Sequence, residues 1–176
     1  MLNDTLPKYF DPRKNAAHEV TIEGRMLLSV FPELSAALAS NEGDAFVHLS
    51  FRVDEDRRYI ATGSIKSTVQ VECQRCLEPT SVELEIDLSI GFVYDEDHAK
   101  NLPGDYDPVV MTDGEVVLAD MVEQELLLAL PIVAYHPESG CNPVALKYAS
   151  STDDAPDDEI KPNPFSILAD LKVKKN

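Results

Sequence analysis

Basic residues are scarce in this 176-residue chain: Lys and Arg number 15 against 32 Asp and Glu, for a formal net charge of −17. A phosphate backbone repels such a surface, which argues against a protein that coats nucleic acid. Glycine is sparse too, at seven residues, and none of it falls in the spacing of a phosphate-cradling loop. The four histidines, His18, His48, His98 and His136, lie in separate segments, and no serine sits in a nucleophile-elbow pattern. Hydrolytic catalysis therefore has no motif to rest on. Three cysteines, two of them only three positions apart, do not make a disulfide framework. The longest apolar run, Leu126 to Ala134, contains Pro131 and falls far short of the roughly 20 residues that cross a bilayer. Met1 to Lys8 shows neither the basic segment nor the apolar stretch of a secretory signal. The expectation is a cytoplasmic protein with no membrane partner.

What is present is enough for a real core, with a hydrophobic share of 44%. The acidity is local. From Glu78 to Glu125 the chain carries fourteen Asp or Glu and one base, Lys100. Such a run keeps a protein soluble, and it also suits a basic protein partner.

Hydrophobic periodicity sets the organisation. Residues 1–17 are polar with two prolines and read as a loosely held arm. His18 to Glu23 alternates with period two, a short strand that Gly24 should end. Pro32 to Ala39 reads as a helix with proline in its first turn. Three strands are expected next, at Ala45–Val53 (through Phe46, Leu49, Phe51 and Val53), Tyr59–Val71 and Ser81–Val93. In the last, Val82, Leu84, Ile86, Leu88 and Ile90 alternate with Glu83, Glu85, Asp87 and Ser89, giving one core face and one acidic, wet face. Tyr94 to Asp113 reads as a long acidic loop, and Leu118 to Leu130 as a largely buried helix ended by Pro131.

The fold class is α+β: an antiparallel meander of three to five strands packed with a few helices, within residues 1–148. Residues 149–162 have the composition of a flexible acidic linker. Residues 163–172 form a short C-terminal helix signal, with Asn163 to cap, Pro164 in the first turn and Phe165, Leu168 and Leu171 along one side. Its docking surface is either its own domain or another molecule.

The chemistry centres on the turn between the two long strands, Val71-Glu72-Cys73-Gln74-Arg75-Cys76-Leu77-Glu78-Pro79. A Cys-x-x-Cys on a hairpin turn is half a zinc knuckle. The other half would be His136 and Cys141, giving the set Cys73, Cys76, His136 and Cys141. The alternative is three small buried cysteines and no cofactor. Redox chemistry fits poorly, because this Cys-x-x-Cys leads into a strand rather than opening a helix. Arg75 is either a clamp on Glu72 or Glu78, or a contact to a phosphate or carboxylate.

Four pieces resemble a known family: the stretch 71–79, the segment from Asp120 to Pro131, His136 with Cys141, and Lys161-Pro162-Asn163-Pro164-Phe165-Ser166-Ile167-Leu168-Ala169-Asp170-Leu171-Lys172. Together they are similar to the bacterial YceD family, the large ribosomal RNA subunit accumulation proteins, which also have plastid relatives. The resemblance implies a role in accumulation or processing of large-subunit ribosomal RNA, and it supplies no catalytic residues. Some members are richer in cysteine downstream of the first pair, where this chain has only Cys141.

Charge and resemblance together give a non-enzymatic biogenesis factor that binds a basic ribosomal or assembly protein and meets ribosomal RNA indirectly. The expected contacts are Arg75, Glu83, Glu85 and Asp87, then Asp95, Glu96 and Asp97, with Phe165, Leu168 and Leu171 as a second point joined by the linker. Two alternatives compete: direct RNA contact through Arg52, Arg57 and Arg58 placed beside Arg75, and a zinc-binding module.

Overall fold

The structure is a computed structural model, and it describes residues 6–137 and 141. Its elements in chain order are β1 (Tyr9–Phe10), α1 (Pro12–Ala17), β2 (Thr21–Leu27), α2 (Pro32–Ala37), β3 (Asp44–Val53), β4 (Tyr59–Glu72), β5 (Pro79–Val93), α3 (Glu96–Ala99), β6 (Asp107–Val110), β7 (Val116–Val117) and α4 (Leu118–Ala129). The sheet has five strands in the order β2-β3-β4-β5-β6, and β1 with β7 forms a separate two-stranded ribbon. Strands β2 to β5 are an antiparallel meander, as the short polar turns require, but β6 runs parallel to β5. The sheet is therefore mixed rather than wholly antiparallel. A parallel neighbour needs a crossover connection, and residues 94–106 supply it.

The long hairpin dominates the sheet. Its strands have 14 and 15 residues, paired from Tyr59 opposite Phe92 to Glu72 opposite Pro79. Even-numbered residues of β5 face the core: Leu84, Leu88, Ile90 and Phe92 are buried there with Ile65 and Val69 of β4. On β3 the buried set is Ala45, Val47, Leu49 and Phe51. Phe46 lies on the opposite face, which corrects its expected place in that alternation. The helices cover the core side, where Leu34 of α2 and Met121, Val122 and Leu126 of α4 join the same cluster.

Three further readings are corrected. The described part of the N-terminal arm is held, not loose. Phe10 is buried edge-on against Phe51 at 5.2 Å and Phe92 at 5.8 Å, and β1 pairs with β7. Gly24 does not end β2, which continues to Leu27. A Cβ at Gly24 would meet Leu6 at 2.9 Å, so the glycine makes room for the incoming arm. The stretch 94–113 is not an open loop, because it holds α3 and β6. Among the described residues no helix is long and apolar enough to cross a membrane. The expected linker 149–162 and helix 163–172 lie outside the described residues.

Candidate metal centre and acidic face

The turn of the β4–β5 hairpin is a knuckle tied by its own backbone. The amide of Cys73 donates to the carbonyl of Glu78 at 2.9 Å, and the amide of Leu77 donates back to Cys73 at 2.8 Å. Leu77 takes a positive φ of 62° to close it. A second segment, the chain leaving α4, lies along this turn. The amide of Gln74 donates to the carbonyl of Ala134 at 3.0 Å, and the Gln74 side chain donates to Ile132 at 3.2 Å. Arg75 lies over the ring of Tyr135 at 5.0 Å and reaches the Cys141 sulfur at 3.8 Å.

This strap brings His136 and Cys141 to Cys73 and Cys76. The four donor atoms all lie within 4.8 Å of one another, and Cys73 and Cys141 are buried. The sulfurs of Cys73 and Cys141 are 3.8 Å apart, those of Cys76 and Cys141 are 3.9 Å apart, and Nδ1 of His136 is 3.3 Å from Cys76. A tetrahedral zinc with Zn–S bonds of about 2.3 Å has S–S edges of about 3.8 Å. The donor set thus has both the chemistry and the spacing to hold a metal ion. The His136 ring is oriented for it. Its Nε2 stands 2.9 Å from the carbonyl of Pro79, which can only accept, so the proton sits there and the Nδ1 lone pair faces the sulfurs.

The electrostatics favour the metal-ligating form at Cys73 alone, while those of His136 and Cys141 favour the protonated form. Burial pushes the Cys73 thiol up, but the amides of His136, Arg75 and Cys76 and the His136 ring outweigh it and hold its pKa at about 5. The His136 ring is raised, mainly by the Cys73 side chain. Cys141 is raised by burial and then by its two sulfur neighbours.

Away from the knuckle, odd-numbered residues of β5 face water. Glu83, Glu85 and Asp87 are exposed there. Glu85 is ion-paired with Lys66 across the strand pair, and this contact depresses the carboxyl and raises the lysine. Further along the same face, a Cβ at Gly91 would stand 2.6 Å from Leu102, so the crossover passes over this side of the sheet. It carries Asp95, Glu96 and Asp97, all exposed. Asp95 caps α3 by accepting the amide of His98 at 2.9 Å, and Asp97 pairs with Lys100 at 2.8 Å. Glu83, Asp87 and Glu96 take part in no ion pair among the described residues. Phe165, Leu168 and Leu171 lie outside those residues.

The basic patch of the RNA-contact alternative does not form. Arg57 and Arg58 precede β4 and Arg75 follows it, so the whole strand separates them, and Arg58 is bound to Asp54 and Asp56 at 3.2 and 2.8 Å. Two features escaped the sequence. Glu123 of α4 is buried and accepts the amides of Glu33 and Leu34 at 2.7 and 2.9 Å. Leu77, Leu128, Ile132, Val133 and Tyr135 are large exposed apolar side chains contributed by the knuckle, the last turn of α4 and the strap.

Fold and site define a class: an α+β domain with three cysteines and one histidine gathered, at the turn of its long hairpin and the adjoining strap, in a group that could hold a metal. The family described as "Large ribosomal RNA subunit accumulation protein YceD" matches residues 61–172. A Haemophilus influenzae protein of that name is 35% identical over 171 residues, covering 96% of this chain and 97% of its own length. The chain belongs to the YceD family. No solved structure matches it.

Proposed function

We propose that this protein promotes accumulation of large-subunit ribosomal RNA as a non-enzymatic factor in the cytoplasm, by holding a basic ribosomal or assembly protein. The observation that carries the reading is the acidic face of the sheet, Glu83, Glu85 and Asp87, with the acidic crossover laid over the same side. Charges so placed speed encounter with a basic partner and make it salt-sensitive. Lys66 already engages Glu85, which leaves Glu83, Asp87 and Glu96 as the carboxylates for the partner.

The knuckle would hold zinc, with Cys73, Cys76, His136 and Cys141 as its donors. Four protein donors would complete the metal's coordination without a substrate, as in a structural site. Bound there, zinc supplies a cross-link between hairpin and strap. Arg75, 3.8 Å from the Cys141 sulfur, would screen the charge of that thiolate once metal is bound.

The test is a pull-down from cell extract with the intact chain, with and without nuclease, at low and moderate salt, read by mass spectrometry. Basic ribosomal or assembly proteins should remain after nuclease and leave with salt. Substituting Glu83→Gln, Asp87→Gln and Glu96→Gln together should weaken their capture. Complete loss on nuclease treatment would assign direct RNA contact instead.

A further inference from the structure

Between the outer edge of β6 and the corner where β7 enters α4 lies a groove of about 550 Å³. Tyr9, Val110 and Met121 give it an apolar floor, and Asp113, Glu115 and Asp120 stand around it. No Lys, Arg or His lines it. Tyr9 and Val110 are 50% and 45% exposed, and β6 is the last strand of its sheet, so the edge beside the groove carries no further strand among the described residues. Lys8 over the Tyr9 ring at 5.2 Å and Arg13 beside Gly114 are cations next to it. Its lining charges, however, are carboxylates, which suits an occupant that is apolar on one side and basic on the other.

The chain has one segment of that chemistry. Residues 163–172 carry Phe165, Leu168 and Leu171 at helical spacing. Around them stand Lys161, Lys172, Lys174 and Lys175, with Asp170 the single acid from 161 to 175. This is a local excess of positive charge in a chain of net charge −17. The family match ends at residue 172 and begins at 61, so it contains the segment together with β6, β7 and α4.

We propose that residues 163–172 dock as a helix in this groove, with Phe165, Leu168 and Leu171 on the apolar floor and the terminal lysines against Asp113, Glu115 and Asp120. The reach is sufficient. The described chain ends at Cys141 in the knuckle, while the groove lies beside β6 at the open end of the same hairpin, about 40 Å away along β5 from Gly91 to Pro79. The linking residues 142–162 are enough chain to cover up to about 70 Å, more than that distance. Tethering gives the segment a millimolar-scale local concentration at the groove, and a helix this short needs such a surface to form. A basic partner attracted by the acidic surface would compete with the tail for these carboxylates. The docking itself does not depend on that partner.

The experiment couples lysines to carboxylates in the full chain with a zero-length carbodiimide and maps the products by mass spectrometry. An equal mixture of light and heavy-isotope protein separates links within one chain from links between chains. Lys172, Lys174 or Lys175 should join Asp113, Glu115 or Asp120 within single chains. Phe165→Ser with Leu168→Ser, which alters no charge, should reduce these links severalfold, and so should Val110→Glu in the groove, with circular dichroism showing each variant folded. Links mainly to Glu83, Glu85 or Asp87, links only between copies, or links indifferent to the apolar substitutions would overturn the proposal. The pull-down result stands apart from any of these outcomes.

Discussion

Glu123, on α4, closes the N-terminus of α2 by accepting the amide of Leu34 at 2.9 Å, and the same oxygen accepts the amide of Glu33 at 2.7 Å. α2 has no cap of its own, since Phe31 precedes it and offers no side-chain acceptor. One buried carboxylate thus satisfies two amides and pins one helix to the other. Replacing Glu123→Ala leaves those donors without their partner and should lower stability by about 1–3 kcal/mol. Glu123→Gln should cost less, because its amide oxygen can still accept. Urea denaturation of the three proteins measures the order.

The knuckle makes a second prediction. Protein purified without chelator should contain about one zinc per chain, measured by elemental analysis. Cys76→Ser or His136→Ala should lose the metal and lower the melting temperature. A preparation that is folded, fully reduced and free of metal would remove zinc from the proposed function.

Asp11 gives a pH-dependent one. Its carboxylate caps α1 through the amides of Arg13 and Lys14. The Arg13 side chain, outweighing burial, holds its pKa down to about 2. A depressed native pKa adds stability above the unfolded value near 4, and that stability fades as pH falls toward 2. Asp11→Ala should therefore cost about 1 kcal/mol at neutral pH. The gap to wild type should narrow steadily below pH 4 in acid titrations of the folded fraction.

Gly91 tests the crossover. Gly91→Val would drive a side chain into Leu102 and lift residues 94–106 from the sheet, at a cost of about 1–3 kcal/mol. Hydrogen exchange should accelerate across that stretch while the β3–β4 pairing stays protected. If the acidic crossover is part of the partner surface, capture of the basic protein should weaken with it.

Most of the sheet is legible in the sequence because β5 alternates cleanly and because the polar turn 54–57 and the Cys-x-x-Cys leave little choice of partner strand. That Cys73, Cys76, His136 and Cys141 come together could be named from residue type and position, since cysteine and histidine are few enough here for their chemistry to stand out. What could not be read depends on contacts distant in sequence. Nothing local shows that Phe10 belongs between Phe51 and Phe92, so the arm looked loose. Gly24 carries a stop signal by propensity, yet its missing side chain serves the packing of Leu6. Glu123 sits at a position whose helical spacing suits water or core equally, and only the orphan amides of α2 explain its burial. The parallel pairing of β6 was hidden because Pro103-Gly104 and Asp107-Pro108 read as loop chemistry, while the crossover they permit is a property of the whole sheet.

The pairing of β1 with β7 also bears on how the chain is made. Tyr9 and Phe10 are synthesised early, but their strand partners, Val116 and Val117, come only after the entire sheet. During vectorial synthesis Phe10 and Phe51 must wait, uncovered, for Phe92 and then for the start of α4. Core completion is thus deferred to the last part of the described domain, a long-range closure of the kind that slows folding and leaves nascent apolar surface open to chaperones.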